Sequence, residues 1–134
     1  KKNKIDHYNR KIKNKITELH WQTATEIAKE NETIIIGKIN SKSIMMQKNL
    51  NKRTKRVLQS LSHYSFREKL VYKCLVYKRN IKIQNEKFTT KMCYLCGHYN
   101  ENIEGEKKIK CNGCNKEYDS DSGSAVNICL ASLE

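Results

Sequence analysis

The 134-residue chain contains no proline, five glycines, two phenylalanines and one tryptophan, and hydrophobic residues make up 37% of it. A core built from so few large apolar groups is modest and needs a staple. No apolar stretch approaches the ~20 residues of a membrane-spanning helix, and no charged, apolar and small-residue signal pattern opens the chain. Membrane insertion and secretion are therefore not expected. Acidic residues are also scarce, 14 against 27 Lys and Arg for a net charge of +13, and the only aspartates are Asp6, Asp119 and Asp121.

Part of that basicity is ambiguous, because Lys, Asn and Ile together supply 50 of the 134 residues, a bias that A/T-rich codons produce. Its distribution is more telling. Residues 1–32 carry a net +3 and residues 86–134 a net −2, whereas residues 33–85 hold 13 bases against the single acid Glu68. A surface set by codon usage has no reason to spare the last third, so the middle segment points to a polyanionic partner.

Along the chain, Ile5, Tyr8, Ile12, Ile16, Leu19 and Ile27 recur at intervals of three and four, apart from a gap at Thr23, and predict an amphipathic first helix with that stripe buried. The β-branched run 33–39 predicts a buried strand. Residues 40–56, polar and rich in Lys and Arg, predict an exposed loop that orders on a partner. A helical stretch with Val57, Leu58 and Leu61 follows. Ser65-Phe66-Arg67-Glu68 fits a capping box that opens a second helix with Phe66, Leu70, Cys74 and Tyr77 on one face. Residues 81–86 alternate as a strand, 88–118 form a cysteine module, and 125–131 close the chain as a short helix.

Four of the six cysteines form Cys93-x2-Cys96-x14-Cys111-x2-Cys114. Two short loops that each present two thiolates suit tetrahedral Zn²⁺, with Zn–S bonds of about 2.3 Å. Gly97 and Asn115, immediately after each pair, accept the positive φ with which such a loop turns. A redox dithiol and a pair of disulfides are the rival readings, and tandem pairs in a chain without a secretion signal favour the metal. Four thiolates leave no position for water, so this zinc is expected to be structural. Cys74 and Cys129 are expected to be small buried hydrophobes.

Asp119-Ser-Asp121-Ser-Gly-Ser reads first as a helix N-cap. Asp121, Ala125 and Ile128 are spaced four and three apart, which would put the Asp121 carboxylate on the inward face beside a compensating cation. At this point a resemblance emerges. A strand, a C-x2-C-G loop, a second C-x2-C fourteen residues on, and Asp119-x-Asp121-x-x-x-Ala125-x-Asn127-Ile128 resemble the C-terminal part of the TnpB and Fanzor proteins, the OrfB-type transposases related to type V CRISPR effectors. The resemblance runs from about Ile5 to the end and is most specific from Glu86 to Ile128.

The resemblance implies an α/β (α+β) chain, a partial RNase H-like RuvC fold with an inserted four-cysteine zinc ribbon. Its divisions would be residues 1–87 in the nuclease domain, 88–118 in the ribbon and 119–134 in a final nuclease helix. It further implies an RNA-guided DNA endonuclease of transposon origin in which two Mg²⁺ ions, held by carboxylates, clamp the attacking and leaving oxygens. Asp121 matches the last catalytic aspartate. Most bacterial members carry a glutamate after the strand that here ends Ile36-Gly37-Lys38, whereas the Fanzor-like branch uses one just before the first cysteine pair, which matches Glu86. Lys48, Lys52, Arg53, Lys55, Arg56, Arg67 and Lys73 would contact the phosphates of guide RNA and DNA. The implied location is the nucleus or cytoplasm of a host or virus-infected cell.

Two departures from the family pattern stand out. Its arginine in the last motif is Ser120 and its asparagine is Gly123, and the first catalytic aspartate has no counterpart here. The chain is accordingly expected to work with the remainder of the nuclease domain upstream and to be inactive alone. The alternative is a non-catalytic zinc-ribbon module that binds nucleic acid, or a decayed transposase remnant.

Overall fold

The computed structural model describes residues 2–38, 46, 50–86, 89–103 and 105–133. The elements are α1 (Lys2–Glu30), β1 (Thr33–Gly37), α2 (Lys52–Leu61), α3 (His63–Val76), β2 (Asn80–Gln84), β3 (Lys108–Lys110), β4 (Glu117–Asp119) and α4 (Ser120–Ala131). They fall into two compact units. One holds α1, α2, α3 and the chain through Ile34 and Ile81; the other takes up β1 at Ile35 and β2 at Lys82 and adds β3, β4 and α4. No helix among the described residues is long and apolar enough to cross a membrane.

α1 runs 29 residues because nothing between Lys2 and Glu30 breaks it: there is no Gly, no Pro, and a lysine in the last turn. The Asn31 side chain closes its C-terminus by donating to the Ile27 carbonyl at 3.0 Å. α1 packs on α3. The buried row on α1 is His20, Ala24 and Ala28, and on α3 it is Leu70 and Cys74, each row spaced by four as ridge packing requires. His20 meets Phe66 edge to face at 5.4 Å, and the Arg79 Nε donates to the Ala28 carbonyl at 3.1 Å.

The expected apolar stripe of α1 is not the buried one. Ile5, Tyr8, Ile12 and Leu19 are all exposed, at 51–62% of their surface. Length explains this, since at 1.5 Å per residue α1 spans about 44 Å and the 14-residue α3 only about 21 Å. α3 covers the C-terminal half, and there alanine, not isoleucine, lets the axes approach.

Other expectations shift as well. Lys52 to Arg56 are helical rather than looped, because Asn51 caps α2 by accepting from the Thr54 N–H at 2.8 Å. Lys48 and the rest of the expected loop, apart from residues 46 and 50–56, lie outside the described residues, as does Ile39. The capping box does not form. α3 begins at His63 after Ser62 in a left-handed conformation, and Ser65 sits inside the helix, where its Oγ accepts from the Lys69 ammonium at 2.5 Å.

β1 and β2 form a two-stranded sheet. The Asn80 N–H donates to the Glu32 carbonyl at one end and the Lys38 N–H to the Gln84 carbonyl at the other, so the strands run parallel. Parallel neighbours need a long crossover, and α2 and α3 lie in it. In the second unit, β3 and β4 pair antiparallel, with Ile109 opposite Tyr118, around a core of Cys93, Ile109, Cys111 and Tyr118.

One consequence concerns His20, whose pKa is held below the ordinary 6.5 by burial and then by the Lys69 charge. A lowered histidine pKa means that the unfolded chain takes up the proton first, so His20 costs stability as pH falls through about 6.5 and adds no proton-linked cost above it. The melting temperature is expected to drop more steeply on acidification below that value in the wild type than in His20→Gln. Parallel curves for the two proteins would contradict this.

Candidate metal centre and carboxylate site

The two cysteine loops are near copies of one another. In the first, the Gly97 N–H donates to the Cys93 carbonyl at 2.8 Å and the Cys93 N–H to the His98 carbonyl at 2.9 Å. In the second, Asn115 donates to Cys111 and Cys111 to Lys116, both at 2.9 Å. The turn residues have φ of +72° at Gly97 and +56° at Asn115, the left-handed region that glycine accepts freely and asparagine tolerates. Each loop sits at the tip of a paired segment, the Met92–Tyr99 bridge for the first and β3–β4 for the second. They touch at Gly113, where a Cβ would lie 2.7 Å from the His98 side chain.

This arrangement brings all four sulfurs within 4.8 Å of one another. Cys96 and Cys111 are 3.6 Å apart and Cys93 and Cys114 3.9 Å. A tetrahedron with metal–sulfur bonds of about 2.3 Å has edges of about 3.8 Å, so the spacing fits zinc; a disulfide needs about 2.05 Å. The electrostatics agree. Burial pushes the Cys111 thiol up, but the Cys114 and Gly113 N–H groups and the adjacent sulfurs bring it down to about 6. At Cys96 the His98 N–H pulls down, yet burial and the sulfurs of Cys111, Cys114 and Cys93 push the thiol up to about 12. Sulfurs this close resist ionising together, so four thiolates require a cation. The cluster can hold a metal such as zinc, and no fifth donor or open position is needed.

Outer groups fix these ligands. The Gly113 N–H donates to the Cys111 sulfur at 3.3 Å, and the buried Asn100 amide lies 3.9 Å from the same sulfur while its Oδ1 accepts from the Asn112 N–H at 3.0 Å. Tyr118 is buried against Tyr94, with ring centroids 5.2 Å apart. Tyr118 also packs on Gly123, where a Cβ would lie 2.7 Å from the ring.

β4 passes without a loop into α4, whose N-cap is Asp119: its Oδ1 accepts from the Ser122 N–H at 2.9 Å. That bond holds the Asp119 carboxyl below its ordinary pKa. Asp121 stands in the first turn and is exposed. The face of α4 that turns inward carries Gly123 and Asn127, not the expected Asp121, Ala125 and Ile128. Cys129 is likewise exposed, whereas Cys74 is fully buried as expected.

Asn127 went unmarked as a positioning residue in the sequence, although a lone amide in an otherwise apolar helix was its signal. Its Nδ2 donates to the carbonyls of Thr89 and Met92 at 2.8 and 2.7 Å, which ties α4 to the segment entering the first cysteine loop. Thr89 in turn donates through its N–H and its hydroxyl to the Glu86 carbonyl. Lys82 and Gln84 of β2 donate to the carbonyls of Ser132 and Ala131 beyond and at the end of α4. The Glu86 carboxylate reaches across to β1 and fills the space that a side chain on Gly37 would occupy.

Comparison with known proteins decides the family. Residues 63–128 match the family model described as Cas12f1-like, TNB domain. A TnpB-like protein of Acanthamoeba polyphaga mimivirus is 33% identical over 129 residues, 95% of this chain and 25% of that protein. A transposase-type protein of the same virus is 31% identical over 121 residues, 90% of this chain and 25% of its own length. The chain belongs to the TnpB family. It spans about a quarter of the length of these viral relatives. A cryo-EM structure of a Cas12f1–sgRNA–target DNA complex has the same fold over 92% of this chain and 35% of its own, with a TM-score of 0.65 at 21% identity.

The span matched by the Cas12f1-like, TNB domain family includes all four cysteines, Glu86 and Asp121. Cys111→Ser is expected to abolish stoichiometric zinc binding, measured by chromogenic chelator competition, and to lower the melting temperature. Asn100→Ala should keep four sulfurs yet weaken zinc by about 10- to 100-fold. Undiminished affinity in either variant would count against the four-thiolate centre or its support by Asn100.

Proposed function

We propose that this TnpB-family chain supplies two carboxylates, Glu86 and Asp121, to the Mg²⁺ site of an RNA-guided DNA endonuclease, with the zinc ribbon holding both in place. The observation that carries this reading is the exchange at the end of β1, where Gly37 leaves room and the Glu86 carboxylate enters it. A carboxylate arriving from β2 thereby stands where a side chain on β1 would, as in the Fanzor-like branch. Asn127 links the turn behind Glu86 to α4, the helix that carries Asp121. Bound Mg²⁺ would polarise the scissile phosphate and stabilise charge on the attacking and leaving oxygens. Exposure suits Asp121 to that task, since a ligand to a shared ion has to remain reachable by the substrate.

α2 supports the nucleic-acid part of the reading. Lys52, Arg53, Lys55 and Arg56 crowd its first turn and a half with no acid among them. Cations at a helix N-terminus oppose the helix dipole, so this charge is not there to stabilise the helix. Combined with orphan N–H groups, it makes a phosphate-binding end. In α3, the Arg67 guanidinium lies 5.3 Å over the Tyr64 ring and the Lys73 ammonium 5.5 Å over Trp21. Aromatic groups beside cations serve stacking and phosphate contact together.

In a full-length TnpB-family protein carrying this segment, Glu86→Gln and Asp121→Ala should each abolish Mg²⁺-dependent cleavage while zinc content stays the same. Gly37→Ala is the sharper test: it should displace the Glu86 carboxylate and cut cleavage at least tenfold without changing zinc content or melting temperature. Full activity in these variants would leave a zinc-ribbon binder as the better description. Replacing Lys52, Arg53, Lys55 and Arg56 by Gln should reduce the salt slope of nucleic-acid binding by about 3. An unchanged slope would remove α2 from the interface.

A further inference from the structure

Tyr118 stands at the centre of the second unit with Cys93, Ile109 and Cys111, and its ring is held on two sides. Tyr94 meets it edge to face, and the ring fills the space that a side chain on Gly123 would need. A phenylalanine ring would pack there equally well. The hydroxyl is therefore the informative group: it is buried, and no group among the described residues accepts its proton in full hydrogen-bond geometry. A buried donor without an acceptor is costly, so its presence calls for a partner.

The sulfurs supply one. Burial first, and then the charge and hydrogen bonding of Cys93, ahead of Cys111 and Cys114, push the Tyr118 hydroxyl up to about 12, so it stays a donor. The sulfurs are also unequally supported. The Cys111 sulfur has the Gly113 N–H at 3.3 Å and the Asn100 amide at 3.9 Å, whereas among the described residues no N–H donates to the Cys93 sulfur. A thiol accepts a hydrogen bond weakly and an ionised sulfur accepts it well. We propose that Tyr118 is a positioning residue of the metal centre, its hydroxyl donating to the Cys93 thiolate when Zn²⁺ is bound while its ring seats the start of α4 through Gly123. This rests on the four-thiolate centre described above and adds to it a side-chain donor that offsets the charge on Cys93, as Gly113 and Asn100 do for Cys111. One phenol then joins the metal centre to the helix that carries Asp121.

The test compares the full chain with Tyr118→Phe, which keeps the ring and loses only the donor. Chelator competition should show Zn²⁺ held about 10- to 100-fold more weakly by the variant. With Co²⁺ in place of Zn²⁺, the sulfur-to-metal charge-transfer band should move to longer wavelength in the variant, because a thiolate relieved of a hydrogen bond gives up charge more readily. A ring that only filled space would leave that band where it is. In the unaltered chain loaded with ¹¹³Cd²⁺, the Tyr118 hydroxyl proton should exchange slowly with water and couple to cadmium through the Cys93 sulfur, a readout independent of how the variant folds. Equal zinc affinity, an unmoved charge-transfer band or a hydroxyl proton without coupling to cadmium each overturns the role of Tyr118 and leaves the four-thiolate centre standing. Failure of the unaltered chain to bind Zn²⁺ overturns both.

Discussion

Four sulfurs held within 4.8 Å cannot all be thiolates without a cation between them, and much of the second unit is organised by that demand. The two loops that carry the sulfurs make the same turn and the same pair of backbone hydrogen bonds, and they close on each other where Gly113 meets His98. Among the described residues this core is Cys93, Ile109, Cys111 and Tyr118 with Tyr94, Ile103 and Cys114 packed against it, too little apolar surface to hold a fold by burial alone. A metal bound by the four cysteines would supply the missing cohesion, because binding free energy at such a site is folding free energy.

The consequence reaches α4. Its N-cap is the last residue of β4, so the ribbon's strand and the helix share Asp119, and Tyr118 wedges the start of the helix through Gly123. Asn127 then fastens the helix to the segment between Glu86 and Cys93. Glu86 and Asp121, the carboxylates proposed for Mg²⁺, therefore belong to segments joined by main-chain carbonyls and one buried amide. Such an arrangement fixes the backbones that present them.

The helical unit is built differently. Small residues on α1 face α3, the charge is displaced onto α2, and the long N-terminal part of α1 keeps its isoleucines exposed. Charge at the wrong end of a helix and apolar groups left uncovered are costs to a chain considered alone.

Some of this was legible in the chain's own order of residues. Cysteine spacing with Gly97 and Asn115 defined the metal centre, because a chelating loop is a local object whose geometry depends on a handful of consecutive residues. The long first helix and the strand were legible for the same reason, although the strand expected to be buried over 33–39 is Thr33–Gly37 with Ile34 its one buried residue. Tertiary structure alone decided which stripe of α1 is buried, since that depends on the length of α3. It alone turned Asp121 outward and Asn127 inward, since the rotation of α4 is set by Tyr118 against Gly123. It alone put the Glu86 carboxylate into the space beside Gly37, a meeting of residues 49 positions apart that the pairing of β1 with β2 brings about and no local pattern encodes.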